Sequence, residues 1–175
     1  IMPLYGLVPD GPGPFPAVLC PHGHASGGKY SPAGRRDLPE IAKQIQEYNY
    51  DYGVQFVREG FVALCPDARG FGERQEPHTK WEQAGKEDGI LIQSCQYLNQ
   101  MGYPLGQTVT GMWAWDLHRL VDYVATRKDC IPGRVACAGL SGGGLQTLWA
   151  SAFDDRIACG EHPTRHTRRH AGDGL

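Results

Sequence analysis

The sequence predicts an α/β protein: a mostly parallel sheet with helices on both faces, incomplete at its C-terminal end. Three observations predict it. Short apolar runs recur at residues 17–20, 61–65, 135–138 and 157–160. Runs without polar alternation are what strands buried on both faces require. Helix-like segments separate these runs, which is the pattern of crossover connections in a parallel sheet. Residues able to do chemistry follow the C-terminal ends of the runs, where open α/β sheets place their sites.

Each element has its own warrant. Residues 2–8 read as a strand, closed by the turn-rich stretch of residues 9–14. Residues 17–20 form a buried strand, and residues 21–34 a long loop rich in Gly, Pro and Ser. Helical stretches lie within residues 38–59, the best at 52–59 with Gly60 as its stop. A second buried strand spans 61–65, followed by a polar loop over 67–88. Residues 90–101 read as helical. The strongest helix pattern covers 113–127, with Leu117, Leu120, Val121 and Val124 on one face at i, i+3, i+4 and i+7. A strand at 135–138, a helix at 143–153 and a strand at 157–160 complete the core. Residues 1–160 therefore read as one core. Residues 161–175 read as a disordered or non-native tail, with three His and three Arg within residues 161–170.

Bulk composition narrows the function. At 175 residues the chain is long enough for one domain with a sizeable core. A net charge of −2 gives no electrostatic reason to expect nucleic acid or an anionic membrane as partner. No apolar run approaches the roughly 20 residues of a membrane span. No secretory-signal pattern opens the sequence, although a start at Ile1 leaves room for a segment ahead of it. No two cysteines form a CxxC pair. Cys20, Cys65, Cys137 and Cys159 sit in strand-like runs and read as small buried hydrophobes. A reducing, cytoplasmic setting is the expectation, with no cofactor and no metal.

The most informative stretch is Gly139-Leu140-Ser141-Gly142-Gly143. It lies between a strand-like and a helix-like run, the context that gives Gly-x-Ser-x-Gly its meaning. The turn is so sharp that its flanks must be nearly free of side chains. The helix beyond it aims N–H groups at whatever bonds to the serine. Ser141 therefore reads as a nucleophile suited to an ester carbonyl, against the plainer reading of a Gly-rich turn.

His22, Gly23 and His24 follow the strand at 17–20. Gly23 lets backbone approach a substrate carbonyl closely. The backbone N–H groups of His24 and Gly142 are the expected oxyanion donors. The imidazoles of His22 and His24 read as loop hydrogen-bonders, since no third ligand spacing supports a metal. Asp67 and Arg69 follow the strand at 61–65. Asp67 reads as a loop-fixing residue, through turn hydrogen bonds and a pairing with Arg69, with a triad acid as the other reading. Asp116, at the start of the strongest helix, needs no role beyond its favourable place in the helix dipole. His162 and Asp173 in the tail read as terminus more readily than as base and acid.

Together these residues resemble the α/β-hydrolase superfamily, and more narrowly its acetyl xylan esterase and dienelactone hydrolase-like branch. Residues 14–24 resemble that branch's strand and oxyanion loop, and residues 63–73 its next strand and Asp-x-Arg-Gly-x-Gly loop. Residues 111–127 resemble the helix before the elbow, and residues 134–144 the elbow itself. The resemblance implies Ser141 as nucleophile with His24 and Gly142 as backbone donors. It also implies a triad acid and histidine after later strands, which residues 161–175 do not supply. The chain then reads as the N-terminal half to two-thirds of a serine carboxylic-ester hydrolase. Its substrate would be a small ester, an acetylated carbohydrate among them, and its unfinished sheet would favour self-association. Two other readings stay open. One is a catalytically incompetent domain serving as a binding or structural module. The other is a peptidase or lactone hydrolase on the same fold.

Overall fold

The computed structural model describes residues 1–77 and 89–161, the last three of these by backbone alone. Five strands form one sheet: β1 (Leu4–Leu7), β2 (Phe15–Leu19), β3 (Val62–Pro66), β4 (Cys130–Ala138) and β5 (Ile157–Glu161), in the order β1-β3-β2-β4-β5. Parallel pairing joins β3, β2, β4 and β5. β1 runs antiparallel to β3, with Leu4 opposite Pro66 and Leu7 opposite Ala63. The sheet is therefore mostly parallel, as expected, and its antiparallel pairing among the described residues lies at this edge, where the short turn-rich connection from β1 cannot hold a crossover helix.

Alternation along the central strands builds two cores. Ala17, Leu19, Val62 and Leu64 face one way, and Val18, Cys20, Ala63 and Cys65 the other. The first face packs on α4 (Val109–Thr126) and α5 (Gly142–Phe153), through Leu117, Leu120, Val121, Val124 and Ala150. The second packs on α2 (Tyr52–Arg58), through Tyr52, Phe56 and Val57. α1 (Pro39–Tyr48) adds a smaller cluster of Ile41 and Ile45 with Tyr50. Each fully buried Leu or Ile in these clusters contributes about 1.5–3 kcal/mol relative to exposure.

Several boundaries differ from expectation for identifiable reasons. α4 starts four residues before Trp113, because Thr108 Oγ accepts the Gly111 N–H at 3.1 Å and caps it. α3 (Cys95–Gly102) starts later than residue 90, because the Ser94 N–H is held by Gly70 O at 2.8 Å. β4 extends back to Cys130, across the turn-like Pro132 and Gly133, because Cys130 pairs with Phe15 through a register shift. Cys20, Cys65, Cys95, Cys130 and Cys137 are all free and buried. No helix among the described residues is long and apolar enough to cross a membrane. The tail expectation for residues 162–175 lies outside the described residues.

Candidate active site

Ser141 sits between the end of β4 and the first residue of α5, with φ 57° and ψ −118°. A positive φ is rare for a residue with a Cβ and costs on the order of 1–3 kcal/mol. Two glycines make the turn fit. A Cβ on Gly143 would collide with the Pro21 carbonyl, and one on Gly23 would lie 2.6 Å from Leu140 O and 3.1 Å from Ser141 Cβ. The loop after β2 and the elbow after β4 thus meet backbone to backbone. Ser141 is exposed, and its hydroxyl does not cap α5.

The amides around it divide into used and unused. Gly143 N–H goes to Leu140 O at 2.9 Å and Leu145 N–H to Ser141 O at 3.1 Å. The N–H groups of His24 and Gly142, the two expected donors, have no partner among the described residues. The His24 ring lies against Gly142, since a Cβ there would come within 2.8 Å of Nδ1. Its Nε2 is 3.5 Å from Cys95 Sγ, and Phe71 stands edge-on to the ring at 5.5 Å. Burial lowers the His24 pKa from its ordinary value.

A buried polar network holds this loop from beneath. His22 Nε2 accepts the Ala68 N–H at 3.0 Å, so Nδ1 carries the proton and faces Ser26 Oγ at 3.0 Å and Gly23 O at 2.9 Å. Burial pushes the His22 pKa down to about 4, against a smaller opposing pull from the Gly23 carbonyl and Asp67. Gln146 donates to His22 O at 2.9 Å, and Tyr50 Oη accepts the Gly23 N–H at 3.1 Å. Tyr52 Oη donates to Pro21 O at 2.7 Å.

Asp67 is fully buried and fully used. Oδ1 accepts the Lys29 N–H at 2.8 Å. Oδ2 accepts Lys29 Nζ at 2.5 Å and the Glu73 N–H at 3.1 Å. Burial alone would lower the Lys29 pKa, but the hydrogen bonds to Asp67 and Glu73 outweigh it and raise it. The expected pairing of Asp67 with Arg69 is therefore corrected. Lys29 takes that carboxylate, while Arg69 makes two 3.0 Å bonds to Asp116, which also accepts from Arg74 at 2.7 Å. Arg69 O in turn accepts the Trp113 indole N–H at 3.0 Å. Asp116 thus does more than complement a helix dipole.

The structure brings together Ser141, Gly142, Gly23 and His24, with His22 and Asp67 below them. Arg69 belongs to a neighbouring ion-pair cluster. Sequence reasoning missed Lys29, Tyr50, Tyr52 and Gln146. Only Gln146 carried a signal, as a polar residue with Thr147 inside a mostly apolar helix. Among the described residues no group of three or more His, Cys, Asp or Glu is placed to hold a metal ion. None of these residues bonds to Ser141 Oγ.

Comparison with known proteins follows the same outline. No family model matches the chain. Over 145 residues, 83% of this chain, it is 31% identical to YtaP of Bacillus subtilis (strain 168), provisionally designated a hydrolase. A crystal structure from Bacteroides fragilis NCTC 9343, provisionally designated an acetyl xylan esterase, superposes with a TM-score of 0.68 at 22% identity over 88% of this chain. The 2,6-dihydroxy-pseudo-oxynicotine hydrolase superposes at 0.56 with 21% identity over 91% of this chain. The chain spans 42% of YtaP and 38% and 32% of those two structures. Strand order, elbow and structural neighbours agree that this chain has the α/β-hydrolase fold.

Proposed function

We propose that this chain carries the nucleophile and oxyanion hole of a serine carboxylic-ester hydrolase. One observation supports this above the rest: the strained Ser141 at the junction of β4 and α5, beside the unused N–H groups of His24 and Gly142. In the proposed reaction Ser141 Oγ attacks the ester carbonyl carbon and gives its proton to a base. The carbonyl oxygen becomes an oxyanion held by the two N–H groups. Collapse expels the alcohol, which leaves with that proton, and forms an acyl-enzyme. Water then releases the acid and restores the serine. The imidazoles of His22 and His24 position the loop and its amide. The His22–Ala68 bond and the Lys29–Asp67 pair keep that loop in place. The base and its acid would come from polypeptide beyond the described residues. A short acyl group such as acetyl, on a carbohydrate, is the proposed substrate class, supported by the designation of the Bacteroides fragilis neighbour.

A second reading is favoured by the absence, among the described residues, of any side chain bonded to Ser141 Oγ. On that reading the domain is catalytically incompetent and serves as a binding or structural module. Intact-mass measurement after exposure to a fluorophosphonate separates the two. The esterase reading expects a single adduct that disappears in Ser141→Ala. An unmodified mass after prolonged exposure means that no base reaches Ser141 within these 175 residues, so that any esterase activity belongs to a longer polypeptide.

A further inference from the structure

The loop after β2 has its backbone polar groups taken up one after another by side chains. Pro21 O accepts from Tyr52 Oη at 2.7 Å, His22 O from Gln146 at 2.9 Å and Gly23 O from Ser26 Oγ at 2.7 Å. The Gly23 N–H donates to Tyr50 Oη at 3.1 Å. One residue on, the His24 N–H has no partner among the described residues. Gly23 is extended, with φ −94° and ψ −168°. In extended, pleated backbone successive N–H groups do not face the same side. A Gly23 N–H turned in to Tyr50 therefore leaves the His24 N–H turned out.

The end of α1 delivers Tyr50 to this place. Asn49 closes that helix with φ 53°, a left-handed conformation that Asn tolerates, and the Tyr50 N–H bonds back to Ile45 O at 3.3 Å. The Tyr50 ring is 2% exposed and packs with Ile41 and Ile45. It is tilted against Tyr52 at 6.0 Å and stands edge-on to Tyr48 at 6.2 Å. Its hydroxyl arrives directly under the elbow. A Cβ on Gly23 would collide with Tyr50 Oη and would crowd both Leu140 O and Ser141 Cβ, so these three groups converge around one point. Burial pushes the Tyr50 pKa up to about 12. The hydroxyl therefore stays neutral, and no phenolate stands beneath the place where negative charge would develop.

We propose that Tyr50 is a positioning residue for the oxyanion hole: by holding the Gly23 N–H inward, its hydroxyl aims the His24 N–H at the substrate carbonyl oxygen. The proposal rests on the esterase reading for the oxyanion it serves. Two measurements on the full chain test it, and the first needs no chemistry at Ser141. In amide exchange followed by NMR, Gly23 should exchange at least about tenfold more slowly than His24 in the parent chain. Tyr50→Phe should erase that difference and leave the Lys29 N–H, held by Asp67 Oδ1, unchanged within about twofold. The second is the rate of fluorophosphonate labelling. Tyr50→Phe should lower the maximal rate at least about tenfold and leave the reagent concentration at half-maximal rate within about twofold, because the hole acts in the transition state. Tyr48→Phe, at the exposed neighbouring ring, should change neither. Equal exchange of Gly23 and His24 in the parent chain overturns the proposal, and that comparison stands even if Tyr50→Phe fails to fold. Lys29 protection lost together with that of Gly23 would make Tyr50 a structural residue only and overturns it too, as does a maximal labelling rate that Tyr50→Phe leaves unchanged. A parent chain that takes no label bears on the esterase reading within these residues, and exchange then decides.

Discussion

The two sides of α5 handle polar groups in opposite ways. Beneath the elbow, buried polar side chains are matched: His22, Asp67, Lys29, Tyr50 and Gln146 all have partners. On the outer side aromatic rings face solvent, and His118 Nε2, beside the cleft they line, has no partner among the described residues. The difference teaches where the fold spends its specificity. A buried charge or imidazole is tolerated only when its bonds are made, so the inner network fixes one loop geometry. The outer face fixes nothing by itself and offers area.

Three substitutions sharpen or break this contrast. Asp67→Ala leaves the buried Lys29 ammonium with only the more exposed Glu73 carboxylate, strips the Lys29 and Glu73 N–H groups of their acceptor, and should cost up to about 3–5 kcal/mol in urea unfolding. A cost below about 1 kcal/mol would mean that the inner network is not what holds the loop.

The second turns on pH. The His22 pKa falls from 6.5 to about 4 on folding. Between those values the unfolded chain binds the proton and the folded chain does not. Stability from this group is therefore complete above pH 6.5 and is lost as pH falls toward 4, by on the order of 3 kcal/mol. His22→Gln should remove about one proton's worth of slope from a plot of unfolding free energy against pH across that window. An unchanged slope would place the pH dependence elsewhere.

The smallest effect belongs to Ser151, on the flank of α5 between the two sides. Ser151→Ala removes a hydroxyl that has no partner and should shift stability by less than about 0.5 kcal/mol, or raise it. A loss above about 1 kcal/mol in the same assay would show that Ser151 is bonded after all.

Much of the fold was legible in residues 14–24, 63–73 and 134–144, because buried strands and the elbow carry strong local patterns. The tight turn at Ser141 and the close approach at Gly23 were legible from local spacing, since such a turn restricts side chains at positions adjacent in sequence. The Lys29–Asp67 pair was not legible. Its partners lie 38 residues apart, and nothing local in Gly-Gly-Lys-Tyr distinguishes a buried lysine from a solvated one. Arg69 misled for the same reason: Asp67 is its neighbour in sequence, while Asp116 is its neighbour in space. The antiparallel β1 was hidden because strand direction is set by pairing, which a single run does not display.

The placement of Ser141 at the head of α5 has a mechanical consequence. With 12 residues, α5 is a rod about 18 Å long. Its head carries Gly142 and its tail carries Phe153. A tilt of about 3° pivoting at the tail swings the head by about 1 Å, an error that costs roughly a hundredfold in rate where reacting atoms must be aligned. Whatever grips the tail of this lever also sets the aim of its head.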